Sequence, residues 1–252
     1  MIESLPLAVT RVTTHAADKL LTNATGFFFE RDPTLYVVTN RHVLLNEPTN
    51  HRPERIEIEL HRRAEKLADT VQLSIPLYRD GKRAAWREGT DSAGLVDVAV
   101  LPLERANLPR PMLYRAFTPK HLVQKLDLVE MGMPVRIVGF PLGIHDLVHK
   151  LPVARQAVVA SAFGVRFQGQ GCFLTDARLH RGTSGAPVVA RAAPRTSGRS
   201  ELPWLLLGVH AARLDVSNRD TSQDESLDLN FAWYADILLT LTQKAPAPAP
   251  KA

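Results

Sequence analysis

The 252-residue chain has one cysteine, Cys172. A single thiol cannot close an intrachain disulfide, and it excludes any zinc site that needs two or four thiolates from the same chain. In its Gly-Gln-Gly-Cys-Phe setting Cys172 reads as a packing residue. Aromatic residues make up only 6% of the chain, and the longest apolar stretches, such as Trp204 to Val209, are short. A helix needs roughly 20 apolar residues to cross a bilayer, so no membrane span is expected. Charge of one sign is not in excess either: 31 Lys and Arg against 26 Asp and Glu leave +5. That small, scattered surplus supplies no basic stripe for nucleic acid. The densest charged stretch, Asn46 to Lys66, interleaves glutamates that would repel a phosphate backbone, and it reads as a solvated hairpin. There is no H-E-x-x-H pair, so neither a metal nor another cofactor is expected. Met1 to Lys19 lacks a basic segment followed by a clean apolar core, which makes the cytoplasm the expected compartment.

What is present is a 45% apolar chain with 18 prolines, enough to bury one substantial core. From Gly26 onward its apolar residues come in short aromatic or β-branched runs. These are Gly26 to Phe29, Leu35 to Thr39, Ile56 to Leu60, Val71 to Ile75 and Leu95 to Leu101, then Val135 to Gly139, Gln156 to Ala160, Pro187 to Ala190 and Trp204 to His210. Turn residues separate them and little chain is left for crossover helices, which argues for antiparallel all-β architecture. Leu5 to Leu21 gives a mixed strand and helix signal. Phe231, Tyr234, Ile237, Leu238 and Thr242 step mostly by three or four, so Phe231 to Gln243 reads as a helix. The Lys-Ala-Pro-Ala-Pro end reads as a disordered Pro/Ala tail.

Three segments stand apart: VVTNRHVL with His42, LVDVAVLPL with Asp97, and TDARLHRGTSGAPVV with Ser184. Each sets a reactive side chain beside a strongly apolar strand that can hold it rigidly. Taken singly, each has an ordinary explanation as a surface histidine, a turn aspartate or a glycine turn. Together they supply complementary needs. A serine hydroxyl becomes a nucleophile when a neutral imidazole takes its proton, and the imidazole needs a carboxylate to fix its tautomer. The candidate roles are therefore Ser184 as nucleophile, His42 as base and Asp97 as orienting carboxylate. Gly182 can adopt a conformation that aims its N–H, with that of Ser184, at a developing oxyanion.

These blocks resemble the chymotrypsin-like serine proteases, most closely the bacterial Deg-type peptidases, in the same order of histidine, aspartate and serine. The serine block carries most of the likeness, through Thr175, Asp176, Ala177, Leu179, Gly182, Ser184, Gly185, Ala186 and Pro187. Gly132 to Gly143 resembles a family strand and its following turn, and Gly26-Phe27 resembles a first-barrel motif with Thr25 in place of the usual serine. The resemblance implies two antiparallel six-stranded β-barrels with the site between them and a C-terminal helix. The corresponding division is residues 1–115, carrying His42 and Asp97; residues 116–243, carrying Ser184 and the helix; and the tail, residues 244–252. No counterpart of the Deg-type PDZ module is expected. An α/β-hydrolase is disfavoured because its histidine comes last and its elbow needs glycine where Ala186 stands.

The implied activity is that of a serine endopeptidase acting on a protein or peptide substrate and open to a regulator from another molecule. The alternative is a catalytically silent, protease-like peptide-binding module. For the specificity pocket the resemblance points to Arg178, His210 and Arg213. Gly208-Val-His210 resembles the sequence with which glutamyl endopeptidases read a glutamate, so acidic or small residues are expected before the cleaved bond. Asp215, Asp220, Asp224, Glu225 and Asp228 against Arg219 give the segment that follows a net −4, which suits a cover over a basic cleft.

Overall fold

The computed structural model describes residues 2–192, 202–214 and 226–243. Six strands build the first sheet: β1 (Val9–Ala16), β2 (Lys19–Arg31), β3 (Thr34–Thr39), β4 (Arg55–His61), β5 (Thr70–Pro76) and β6 (Ala99–Leu103). They pair antiparallel in the order β6-β3-β2-β1-β4-β5. Six more form the second: β7 (Pro134–Gly139), β8 (Val153–Val159), β9 (Cys172–Asp176), β10 (Pro187–Arg191), β11 (Trp204–Arg213) and β12 (Leu229–Tyr234). These close into a barrel, β7-β8-β9-β12-β11-β10, with β10 pairing back to β7 at Val188 and Val189.

The expectation of two closed barrels needs correction, because the first sheet stays open. Between Pro76 and Ala99 the chain forms two short ribbons, Tyr78–Arg79 with Arg83–Ala84 and Thr90–Asp91 with Gly94–Leu95. Only one bridge, Arg87 with Val100, reaches β6 from that segment. Pro102 has no N–H to offer a further neighbour, as befits an edge strand. The helix expected over Phe231 to Gln243 is also mostly strand. Leu229–Tyr234 pairs with β9 and β11, and the helix α2 is only Ile237–Leu241. The alternation in β12 is hidden because one of its buried positions is polar: Asn230 is wholly buried and donates to the carbonyls of Thr175, Ala177 and Asp228. The mixed signal at Leu5 to Leu21 resolves as a 3-10 turn over Pro6–Ala8 followed by β1 and the start of β2, and β9 was not among the expected strands.

Period-two burial then sorts the side chains into three cores. Val12, Val37, Ile56, Ile58 and Trp86 pack within the first sheet. Val135, Ile137, Phe173, Val188 and Leu207 fill the barrel. Phe27, Phe29, Val98, Phe140, Val189 and Leu206 pack together along the seam between the sheets. A cavity of about 350 Å³ opens along that seam, beside Leu122, Phe163, Leu206, Trp233 and Ile237. Val96 lines it, but His42, Asp97 and Ser184 do not. Among the described residues no helix is long and apolar enough to cross a membrane.

Candidate active site

His42 sits on a single helical turn, α1 (Arg41–Leu44), directly after β3. Val43 and Leu44 are buried in the first-sheet core, which turns His42 the other way, its side chain 34% exposed. Asp97 lies between Val96 and Val98, both buried in the seam core, so period two aims its carboxylate away from that core. The two groups meet. Asp97 Oδ1 accepts the backbone N–H of His42 at 2.9 Å, and Oδ2 lies 2.7 Å from its Nδ1. This two-point contact fixes both the position and the rotation of the imidazole, and a carboxylate there makes Nδ1 the proton-bearing nitrogen. Asn40, wholly buried, donates its side-chain amide to the Asp97 carbonyl at 2.7 Å and ties down the aspartate's backbone. The sequence signal for Asn40 was only its place two residues before His42.

Ser184 lies in the turn ahead of β10. Gly182 (φ +94°) and Gly185 (φ +84°) both hold left-handed backbone, and neither has room for a Cβ: it would lie 2.4 Å from the Phe140 carbonyl oxygen at Gly182 and 2.2 Å from that of Thr25 at Gly185. The carbonyl of Arg181 is taken by the Leu142 N–H at 2.6 Å. Across a trans peptide the N–H of Gly182 therefore points to the opposite side. Among the described residues neither that N–H nor the N–H of Ser184 has an acceptor. Two free donors flank the hydroxyl, an arrangement suited to an anionic oxygen.

No hydrogen bond joins Ser184 to His42 among the described residues. The Ser184 hydroxyl instead donates to the Ala211 carbonyl at 3.1 Å. The histidine and serine segments are nonetheless held together by backbone and hydroxyl contacts through Thr25 on β2. The Thr25 N–H donates to the Ser184 carbonyl at 2.9 Å, and its carbonyl accepts the Thr39 hydroxyl at 2.8 Å, three residues before His42.

The residues expected at the pocket separate. His210 is buried directly behind the serine turn: its carbonyl accepts the Gly185 N–H at 2.9 Å, and its N–H donates to the Ala186 carbonyl at 2.9 Å. Burial, assisted by repulsion from His42, pushes its imidazole down to about 3, so it is neutral at physiological pH. Its Nδ1 is buried with no partner. Arg178 and Arg213 are exposed, Arg178 just beyond β9 and Arg213 at the end of β11 opposite Asn230. Desolvation at His210 outweighs any gain from a charge, so of the three expected pocket residues only the arginines are cations. Of the acidic segment, residues 215–225 lie outside the described residues, as do the tail residues 244–252. Cys172 is buried, and burial raises its thiol pKa, the reverse of what a reactive cysteine needs.

Comparison with known proteins agrees with this architecture. At the fold level the chain resembles the HtrA-type protease AlgW bound to a tripeptide, with 17% identity and a TM-score of 0.55 over 93% of this chain and 58% of that one. It resembles the active form of the Rv3671c protease of M. tuberculosis with 18% identity and a TM-score of 0.51, over 98% of this chain and 84% of that one. A serine endoprotease from Yersinia pestis gives 17% and 0.53, over 93% of this chain and 61% of that one. The chain thus spans about three fifths of the length of two of these proteins. Comparison with curated protein sequences gives no match. The expected cytoplasmic location is not sustained. It had rested on the first residues of the chain, and where a chain begins does not decide its compartment. Residues 24–193, which include the histidine, aspartate and serine segments, match the family model for the trypsin-like peptidase domain, and the chain belongs to that family.

Proposed function

We propose that the protein is a serine endopeptidase with Ser184 as nucleophile, His42 as general base, Asp97 as the orienting carboxylate and the N–H groups of Gly182 and Ser184 as oxyanion donors. The observation that carries this reading is the two-point contact of Asp97 with His42, at 2.9 and 2.7 Å. It leaves Nε2 as the nitrogen able to accept a proton. In acylation Ser184 Oγ bonds to the substrate carbonyl carbon as His42 takes the hydroxyl proton. The C–N bond then breaks, and the same proton passes to the departing amine. Water repeats the sequence on the acyl-enzyme, returning the serine hydroxyl and releasing an acid. Residues 1–115 and 116–243 are the two halves that meet at this site.

For specificity, a neutral His210 behind the serine turn, its Nδ1 without a partner, suits a side chain that offers a hydrogen-bonding oxygen, glutamate or glutamine, before the cleaved bond. Small residues are the other candidates. One observation favours the second reading, a silent peptide-binding module: the Ser184 hydroxyl is engaged by Ala211 and not by His42. Reaction with diisopropyl fluorophosphate separates the two. Stoichiometric modification of Ser184, absent in Ser184→Ala, is expected of the peptidase; an unreactive wild-type protein is the result expected of the module.

A further inference from the structure

We propose that Thr25 is a positioning residue that holds the oxyanion donors in place, an inference that rests on the proposed serine chemistry. Thr25 is wholly buried on β2, in the first sheet, yet its contacts reach the turn that carries the serine. Its hydroxyl donates to the carbonyl of Gly182 at 2.7 Å and accepts the N–H of Phe140 at 3.1 Å. Its own N–H donates to the carbonyl of Ser184 at 2.9 Å. One residue therefore binds the carbonyl of each residue whose N–H is a proposed oxyanion donor.

The reason such a clamp is needed lies in Gly182. A residue without Cβ rotates its flanking peptides at little cost, and nothing in its own side chain opposes a flip that would carry the donor away from the substrate. The Leu142 N–H secures the peptide ahead of Gly182 through the Arg181 carbonyl, and Thr25 Oγ1 secures the one behind it. If the Thr25 hydroxyl were lost, the buried Gly182 carbonyl would lack its donor and the Phe140 N–H its acceptor. Both deficits favour a rearranged loop. Because the Thr25 carbonyl also accepts the Thr39 hydroxyl at 2.8 Å, the same residue relates the donors to the strand that leads into His42. The serine resembled at this position and the threonine present share only the hydroxyl the clamp requires.

The test compares Thr25→Val, which keeps the shape and the backbone bonds but removes the hydroxyl, with Thr25→Ser, which keeps it. Inactivation by diisopropyl fluorophosphate builds an oxyanion at phosphorus, so its limiting rate constant reads the donors while the half-saturating concentration reads encounter. Thr25→Val should lower the limiting rate about 10- to 100-fold, less than outright loss of a donor, with half-saturation changed by no more than about twofold. Thr25→Ser should recover the rate to within about threefold, and the pH profile should keep its midpoint in both variants because the His42–Asp97 pair is untouched. A wild-type rate in Thr25→Val overturns the proposal. So does a loss shared between both constants that serine does not rescue, since that is general loosening. Should Thr25→Val not fold by circular dichroism, Thr25→Ala is held to the same criteria; if neither folds while Thr25→Ser does, the clamp serves folding and the proposal fails. Absence of any modification at Ser184 in the wild-type protein strikes the proposed function itself, and the clamp falls with it.

Discussion

Replacing His210 by glutamine tests the placement of an uncharged imidazole behind the serine turn. In the folded protein burial, with help from His42, lowers its pKa from 6.5 to about 3. Between those values the unfolded chain binds a proton that the folded chain refuses. Stability is therefore complete above the unfolded value and declines as pH falls toward the folded one. At about pH 4.5 the gap from the unfolded value is about two pH units, which amounts to roughly 3 kcal/mol. Glutamine takes up no proton, so His210→Gln should lack this loss. Asp146 and Glu47, whose carboxyls are held at about 2 by His149 and Arg41 respectively, are present in both proteins, and their effects cancel in the comparison. Urea unfolding followed by tryptophan fluorescence at about pH 7.5 and about pH 4.5 gives the four free energies needed. Wild type should lose about 2 to 3 kcal/mol more than the variant across that interval. Equal losses would mean that His210 is solvated or partnered, and the account of the pocket would be wrong.

Asp97→Asn keeps an acceptor for the His42 backbone N–H but turns an amide donor toward Nδ1, forcing the proton to Nε2; peptidase activity should fall about 10⁴-fold in kcat with the fold retained by circular dichroism, and a loss under tenfold would move the carboxylate role elsewhere. Gly185→Ala sets a methyl against the Thr25 carbonyl at a positive φ; thermal unfolding should show a loss of at least about 2 kcal/mol, and an unchanged Tm would contradict the packing. Profiling against a peptide library should show glutamine accepted along with glutamate, whereas strict preference for glutamate would require a cationic pocket. Iodoacetamide should leave Cys172 unmodified in the native protein and label it in urea, as its burial and raised pKa demand.

The parts of the site legible in the sequence were those built from contiguous residues. The Gly-Thr-Ser-Gly turn and the histidine and aspartate segments each carry their local geometry with them, because flanking buried residues such as Val43, Val96 and Val98 aim the polar side chain between or beside them. Thr25 was visible only as a substituted motif position. Its hydroxyl acts on Gly182, 157 residues away, a relation that no local pattern records. The neutrality of His210 follows from its burial, which the sequence around it does not record. Two structural misreadings have separate causes. At β12 a buried asparagine broke the apolar alternation, and closure of the first sheet depends on whether edges meet, which the period of a strand does not reveal.

The contact between the Ser184 hydroxyl and Ala211 bears on how much of the protein is ready to react at any instant. A neutral hydrogen bond of this kind is worth a net of about 1 kcal/mol. If the proposed pairing with His42 needs one side-chain rotation, that energy is about a fivefold preference and would leave about one molecule in six in the reactive rotamer. Side-chain rotamers exchange far faster than typical turnover. The reactive fraction would be replenished continually, so on the proposed chemistry the parked hydroxyl would lower the rate by only a small factor. Any stronger restraint on activity has to act on the backbone that carries Ser184.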